Sequence, residues 1–338
     1  KRLISDTTML DDVPEASLLA PGATKTPAAK TQNTGRKLFS PVVNRAALMS
    51  IIALAVVQKM FVFICDVKGA FLYADLHEDE YVFVRPPPGW ENHPRFSGRI
   101  LKLKKALYGL RQAPRRWYST LSNALLLNGM VCSKKDPCVM FYRDGDFKIN
   151  AGTHVDDIFM ATTNHTLFTT WFSKISFDFG SKAWLSLSVV KYVALELTYD
   201  RAKQLLHISQ RRYITKALEM LKFDGDGFKS ARSTMEVGCK HRKDEMPETV
   251  DTRRRVLAQR SLGIAGSICQ MTVPEAVFSW SYLAQFTSNP NDAIIKDIKR
   301  IFRYFKWVLE NNVEGLTFQP LASLNVPFIG PVRPNQIY

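Results

Sequence analysis

Two stretches decide the fold: Phe61-Val62-Phe63-Ile64-Cys65-Asp66, and Lys148-Ile149-Asn150-Ala151-Gly152-Thr153-His154-Val155-Asp156-Asp157 with the apolar run that follows it. The first is an apolar run that stops on an acid. It is too brief for a helix and reads as a buried strand. The second holds two strand-like runs, 147–153 and 158–162, around His154-Val155-Asp156-Asp157. That pattern predicts a tight hairpin with two acids at its tip. Polar residues and Gly152 in the strand before the tip predict a weak central strand and loosely held acids.

An acid at a strand end ordinarily caps or solvates the turn. Here there are three, in a chain with 46 Lys plus Arg against 31 Asp plus Glu, a net charge of +15. Carboxylates kept beside buried strands repel one another unless a cation lies between them. Mg²⁺ is the natural candidate, since it takes hard oxygen ligands and commonly uses one or two carboxylates plus substrate phosphates. Two such ions about 3.5–4 Å apart activate an attacking hydroxyl and stabilise a departing phosphate oxygen. Spacing alone leaves nuclease, phosphatase and polymerase open.

The 338 residues predict about two domains. With 46% hydrophobic and 23% charged residues, a wholly disordered or fibrous chain is excluded. A pI near 9.6 favours an anionic partner, nucleic acid or a membrane surface, without choosing between them. The five cysteines are odd in number and scattered, with no C-x-x-C pair, and the six histidines form no spaced cluster. Reduced thiols are expected, and neither a disulfide framework nor a zinc site. The first forty residues hold no signal-peptide core, so secretion is not expected. The most apolar stretch, 46–65, is interrupted by Ser50, Gln58 and Lys59 and is too short to span a bilayer; it predicts a helix over 46–59 and then the strand.

Residues 5–37, rich in Thr, Ala, Pro, Gly and Lys, read as a flexible arm. Further expected elements are a strand at 81–84, a helix over 117–128 stopped by Gly129, and a helix over 167–177. A strand pair at 191–199 and 205–208, a helix over 211–221, and helices near 277–286 and 293–310 follow. The charged stretch 222–255 predicts a lobe boundary.

Asp66-Val67-Lys68-Gly69-Ala70-Phe71-Leu72, then Leu107-Tyr108-Gly109-Leu110-Arg111-Gln112-Ala113-Pro114-Arg115, then Val155-Asp156-Asp157 resemble, in order and spacing, the copia-type retrotransposon reverse transcriptase. Flanking words agree: Phe39-Ser40-Pro41-Val42-Val43, the run from Gln210 to Ile214, Ser288-Asn289-Pro290, and the run from Lys299 to Lys306. The resemblance covers about residues 38 to 318.

That resemblance implies an α+β fold: a right-hand polymerase palm with truncated fingers and a helical thumb/connection-like lobe. Residues 1–37 would be an arm, 38–235 the fingers remnant and palm, 236–320 the thumb/connection-like region and 321–338 a tail. It implies an RNA-directed DNA polymerase. The catalytic residues are then Asp66, Asp156 and Asp157. Asp66, Asp156 and the Val67 carbonyl bind two Mg²⁺ (or Mn²⁺), and Asp157 is a supporting acid. Phe71 falls at the family's steric gate, where an aromatic ring leaves no room for a 2′-hydroxyl. Tyr108, Gly109, Gln112 and Pro114 match the segment lining the nucleotide pocket.

Seven basic residues and no acid lie between Arg99 and Arg116. Of these Lys102, Lys104, Lys105, Arg111, Arg115 and Arg116, with His154 beside the acids, are expected to touch nucleic acid. The run from Lys191 to Leu197 resembles the primer grip. Lys296, Lys299, Arg300, Arg303 and Lys306 are expected along one helix face toward the duplex. Partners implied are an RNA or DNA template with primer, deoxynucleoside triphosphates, and integrase and RNase H regions of one polyprotein, with no membrane. The expected place is intracellular, cytoplasmic (in a virus-like particle) or nuclear.

Four words depart from the family. His154 replaces a tyrosine, Val193-Ala194 a Leu-Gly, and Thr272-Val273-Pro274-Glu275 a Thr-Arg-Pro-Asp. Lys1-Arg2-Leu3-Ile4 only echoes the Lys-Ala-Arg-Leu-Val strand of the fingers. These departures suggest a second reading, a degenerate relic that keeps the fold and binds nucleic acid. A third, a metal-dependent phosphoesterase, is opposed by the words around Tyr108.

Overall fold

The computed structural model describes residues 38–320, apart from 87–88, 91, 98, 180–181, 186–189, 243 and 245. The expected arm at 1–37 and tail at 321–338 lie outside the described residues. The chain divides into two compact units, Lys1–Leu185 and Ser186–Tyr338.

In the first unit, α1 (Arg45–Val57) starts at Asn44, whose side chain accepts from the Ala46 amide. Asn is a favoured N-cap because its oxygen satisfies an otherwise orphaned N–H. Strand β1 (Phe61–Asp66) follows, then the short strands β2 (Phe83–Val84) and β3 (Leu101–Lys102), which pair with each other. Helix α2 (Ala113–Leu127) leads into β4 (Val131–Cys132), β5 (Val139–Asp144), β6 (Phe147–His154) and β7 (Asp157–Thr162). Helix α3 (His165–Phe179) and β8 (Lys182–Leu185) complete the unit. The six-stranded sheet has the order β4-β5-β6-β7-β1-β8.

Strand β1 is interior, antiparallel to both β7 and β8, and buried along its apolar length. Such two-sided burial explains why its sequence is a continuous apolar run rather than an alternation. Phe63 and Cys65 belong to the cluster formed with Trp117, Leu121 and Leu125 of α2 and Phe168, Trp171 and Phe172 of α3. The alternate row faces the other way, where α1 approaches β6.

Strand β6 is not weak. It is paired along its length with β5 and β7. Buried Asn150 accepts from Arg143 Nη2 at 2.6 Å and donates to Met60 Sδ at 3.5 Å. Thr153 Oγ1 donates to the Cys138 carbonyl at 3.4 Å. The polar side chains that made the strand look loose are therefore satisfied, which removes the desolvation penalty. Gly152 serves a packing need. A Cβ there would lie 3.3 Å from Val43 Cγ2 and 3.4 Å from Ile51 Cδ1 of α1.

In the second unit, β9 (Val190–Tyr192), β10 (Leu195–Asp200), β11 (Leu205–Ser209) and β12 (Leu316–Phe318) form a sheet of order β12-β11-β10-β9. Val193, left-handed at φ 55°, turns the chain between β9 and β10, so the expected single strand over 191–199 is a hairpin. Helices α4 (Arg211–Leu221), α5 (Thr252–Met271), α6 (Val277–Ala284) and α7 (Asp292–Glu310) enclose a core that includes Leu218, Leu262, Ile298, Phe302 and Phe305. Gln210 and Thr272, from two of the family-like words, meet inside it: Thr272 Oγ1 donates to Gln210 Oε1 at 2.8 Å.

The sequence missed α5, whose Thr-Arg-Arg-Arg opening reads as a charged loop. Asp251 caps it, accepting from the amides of Arg253 and Arg254. Nor do residues 222–255 separate lobes. Phe223 and Phe228 stack at 4.8 Å, and Phe223 meets Phe302 of α7 edge-on. The Ala231 amide donates to the Arg303 carbonyl, and Lys306 Nζ donates to the Phe228 carbonyl. These anchors hold a polar segment on α7, and the division between compact units falls earlier, at Leu185. Among the described residues no helix is long and apolar enough to cross a membrane.

Substituting Gly152→Val places branched bulk between β6 and α1. We expect a loss of about 1–3 kcal/mol in urea unfolding, the usual cost of overpacking a filled site.

Candidate active site

The antiparallel register of β1 with β7 places Asp66 directly opposite Asp157, and Asp157 is in turn opposite His154 on β6. Residues paired across strands share a face of the sheet, so these three form one row at one end. Asp156 stands beside them in the two-residue turn. The Val67 amide donates to the Asp156 carbonyl at 3.3 Å, tying the segment after β1 to the hairpin tip. Asp66 is exposed, and Asp156 and Asp157 are half-buried. The structure thus gathers the three predicted acids and Val67 at adjacent strand ends.

The donor set is oxygen only, the kind a hard divalent ion takes. The three carboxylates do not all come within 4.8 Å of one another. The oxygen donors suit a hard divalent ion, but not as one tight three-carboxylate cage. His154 is half-buried, and that burial lowers its pKa, partly offset by Asp156. Cys65, immediately before Asp66, is fully buried, and burial pushes its thiol far up.

Val155 is the unusual residue of the tip. It is β-branched yet left-handed, with φ 58°, a conformation that costs of order 1–3 kcal/mol and persists only where its surroundings over-determine it. Here the surroundings include a buried donor: the indole Nε1 of Trp117 on α2 donates to the Val155 carbonyl at 2.7 Å. Trp117 is itself packed in the core between the sheet and the helices. Sequence reading did not single it out as a positioning residue, because its partner lies 38 residues away and no local pattern joins them.

Beyond Asp66 the chain passes through left-handed Gly69 (φ 64°) into a short 3₁₀ turn, Ala70–Tyr73. The Phe71 ring lies against that of Tyr108, centroids 4.6 Å apart. Tyr108 sits at the tip of a turn closed by the Leu110 amide to the Leu107 carbonyl. Gly109, at φ 93°, supplies the positive dihedral that a type II turn needs at its third position. Gln112, buried, is the residue at which α2 begins, and Pro114 lies in its first turn, its carbonyl accepting from Ser40 Oγ at 3.0 Å. The expected pocket residues therefore cluster as Phe71 with Tyr108, and as the 107–114 turn and helix start.

The basic residues divide. Arg116 makes a two-pronged pair with Glu80, at 2.9 and 2.7 Å, and Lys105 pairs with Asp75 at 3.0 Å. Lys102 lies over the Tyr81 ring and Arg115 over Tyr118. Lys104 and Arg111 are exposed. In the second unit Arg300 pairs with Glu236, Lys306 holds the Phe228 carbonyl, and Arg303 and Lys299 lie over Phe228 and Phe223. Of the five basic residues expected to face a duplex, these four hold the 223–236 segment, and Lys296 is exposed.

The family description of a reverse transcriptase (RNA-dependent DNA polymerase) matches residues 14–230. The chain belongs to that family. It is 30% identical over 299 residues to a retrovirus-related Pol polyprotein from transposon RE1 of Arabidopsis thaliana, covering 86% of this chain and 19% of that protein. It is 28% identical over 276 residues to the corresponding polyprotein from transposon TNT 1-94 of Nicotiana tabacum, covering 80% and 20%. A truncated transposon Ty1-A Gag-Pol polyprotein of Saccharomyces cerevisiae is 36% identical over 96 residues, covering 28% and 7%. The copia-type resemblance is borne out. This reverse transcriptase domain spans about a fifth of the length of the curated plant relatives it matches.

Trp117→Phe keeps the ring and removes the donor. Leaving the Val155 carbonyl without that partner should destabilise the domain by about 1–3 kcal/mol. It should also speed amide exchange at Asp156 and Asp157; exchange unchanged there would mean that the indole does not hold the tip.

Proposed function

We propose that this domain is an RNA-directed DNA polymerase, with the first unit as its palm. One arrangement carries the reading: Asp66 in register with Asp157, and Asp156 in the adjoining turn, within a reverse transcriptase family member. Asp66 and Asp156, with the Val67 carbonyl, are the residues to hold Mg²⁺ or Mn²⁺. Two such ions supply activation of a primer 3′-hydroxyl and charge stabilisation of the departing pyrophosphate. Asp157 supports the same row of charge.

The chain's own contribution is positioning. Trp117 holds the strained Val155 and so sets where Asp156 points. Phe71, backed by Tyr108, presents an aromatic surface where the sugar of the incoming nucleotide lies, and a flat ring there excludes a 2′-hydroxyl. Gly109, Gln112 and Pro114 shape the backbone around the base. Lys104 and Arg111 are the exposed cations for the sugar-phosphate chain, joined by Lys102 and Arg115, whereas Lys105 and Arg116 reach phosphate only by leaving Asp75 and Glu80. The substrates are a primed RNA or DNA template and deoxynucleoside triphosphates. Integrase and RNase H regions of the same polyprotein are the natural companions, and the setting is the cytoplasm or nucleus.

Primer extension on an RNA template with Mg²⁺ tests this. Incorporation should fall by at least a hundredfold in Asp66→Asn and Asp156→Asn while template binding persists. Binding without incorporation at any Mg²⁺ or Mn²⁺ concentration would instead mark a relic, and hydrolysis of a generic phosphodiester a phosphoesterase.

Phe71→Ala should raise ribonucleotide use relative to deoxynucleotide use. Unchanged sugar selectivity would remove the gate assignment.

A further inference from the structure

In the second unit, far in sequence from the acids, Cys239, His241 and Asp297 bring one sulfur, one nitrogen and one oxygen within 4.8 Å of one another. Cys239 Sγ is 3.4 Å from His241 Nε2 and 3.0 Å from Asp297 Oδ2, and His241 Nε2 is 2.7 Å from that same oxygen. Asp297 projects from α7 into the core and is buried, as is most of the His241 side chain. We propose that these three side chains form a binding site for a borderline divalent cation of the Zn²⁺ type, separate from the Mg²⁺ chemistry of the aspartates.

Three features support it. The first is donor chemistry: thiolate, imidazole and carboxylate suit Zn²⁺ and not Mg²⁺, which prefers oxygen alone. The second is charge. A buried carboxylate in an apolar core is costly unless a cation meets it. A thiolate and a carboxylate together neutralise one dication, with a neutral imidazole completing the set. The third is geometry. Bonds of about 2.0–2.3 Å at tetrahedral angles separate neighbouring donors by roughly 3.3–3.6 Å. The sulfur–nitrogen distance is already there, and the two edges to Asp297 need to open by about half an ångström.

All three contacts converge on Nε2 and Oδ2, so the histidine does not relay between the acid and the thiol as it would in a nucleophilic triad, where its two nitrogens face different partners. The backbone at His241 is also fixed from outside: its amide donates to the Tyr282 hydroxyl at 2.6 Å, and that hydroxyl donates to its carbonyl at 3.3 Å. The rings of Tyr282 and Phe286 flank the imidazole. These contacts hold the His241 backbone and pack its ring in place. Linear spacing could not reveal the set, because Asp297 lies 56 residues beyond His241. This proposal departs from the expectation, drawn from cysteine spacing, that the chain holds no zinc site.

The full chain, stripped with chelator, is titrated with Zn²⁺ and with Co²⁺ as a spectroscopic substitute. The expected result is one equivalent bound, with a thiolate-to-cobalt absorption band that is absent from Cys239→Ser. Zn²⁺ at about a hundredfold excess over its Kd should raise the melting temperature by roughly 5–10 °C. Asp66→Asn should keep that rise, Asp297→Asn should lose most of it, and Mg²⁺ should not reproduce it. A missing cobalt–thiolate band, or a Zn²⁺ response equal in the wild type and in both Cys239→Ser and Asp297→Asn, would overturn the site and leave a hydrogen-bonded cluster. If Asp297→Asn fails to fold by circular dichroism, the cobalt band of the wild type against Cys239→Ser decides alone. Because Asp66→Asn abolishes the proposed polymerisation but not this response, failure of one proposal is distinguishable from failure of the other.

Discussion

The antiparallel ladder between Phe61–Asp66 and Asp157–Thr162 is the constraint on which the first unit depends. Side chains alternate across a sheet with a period of two, so a slip of one residue would exchange the Phe63 and Cys65 row with the Val62 and Ile64 row and carry Asp66 to the face under α2 and α3. The close packing of both rows of β1, one of them under α2 and α3, resists that exchange. Hydrophobic register and the meeting of acids are therefore one fact. The packing that buries the sheet also aligns the carboxylates at its end, and the chain needs no separate device to bring Asp66 and the hairpin together.

What the linear code revealed follows from this locality. The strand ending on Asp66, the hairpin at 154–157 and the helix over 211–221 are short-range patterns, and all three are present. The words around Asp66, Tyr108 and Asp156 pointed to the reverse transcriptase family, which the chain matches over residues 14–230. What escaped was decided at long range. The tolerance of β6 for Asn150 depends on Arg143 and Met60, and that of Gly152 on α1 crossing above it. Helix α5 hid behind three arginines because its apolar contacts are supplied by other helices. The charged stretch after Leu221 resembled a linker because the groups that fasten it to α7, among them two aromatic rings, the Arg300–Glu236 pair and the Lys306 hydrogen bond, lie far along the sequence.

The basic residues teach the same lesson with opposite sign. A run of cations in sequence does not make a run of available cations in space. Arg116 and Lys105 complete local ion pairs, and Arg300 and Lys306 fasten a loop, so the count of 46 Lys and Arg overstates the free cations an anionic partner could meet. Lys104 and Arg111 remain exposed in the first unit, and Lys296 in the second. Ion pairs that are half-buried and two-pronged resist exchange for solvent-exposed phosphates far better than surface pairs do.

Cys65 adjoins the first acid, yet its sulfur is wholly enclosed by the sheet and α2, and that enclosure holds it as the neutral thiol. Peroxides and alkylating reagents attack the thiolate, not the thiol, and need a path to it. The sulfur nearest the acids consequently behaves as a hydrocarbon. Oxidants can reach this sulfur only by opening the domain, so Cys65 is insulated from the redox state around it without any protective disulfide.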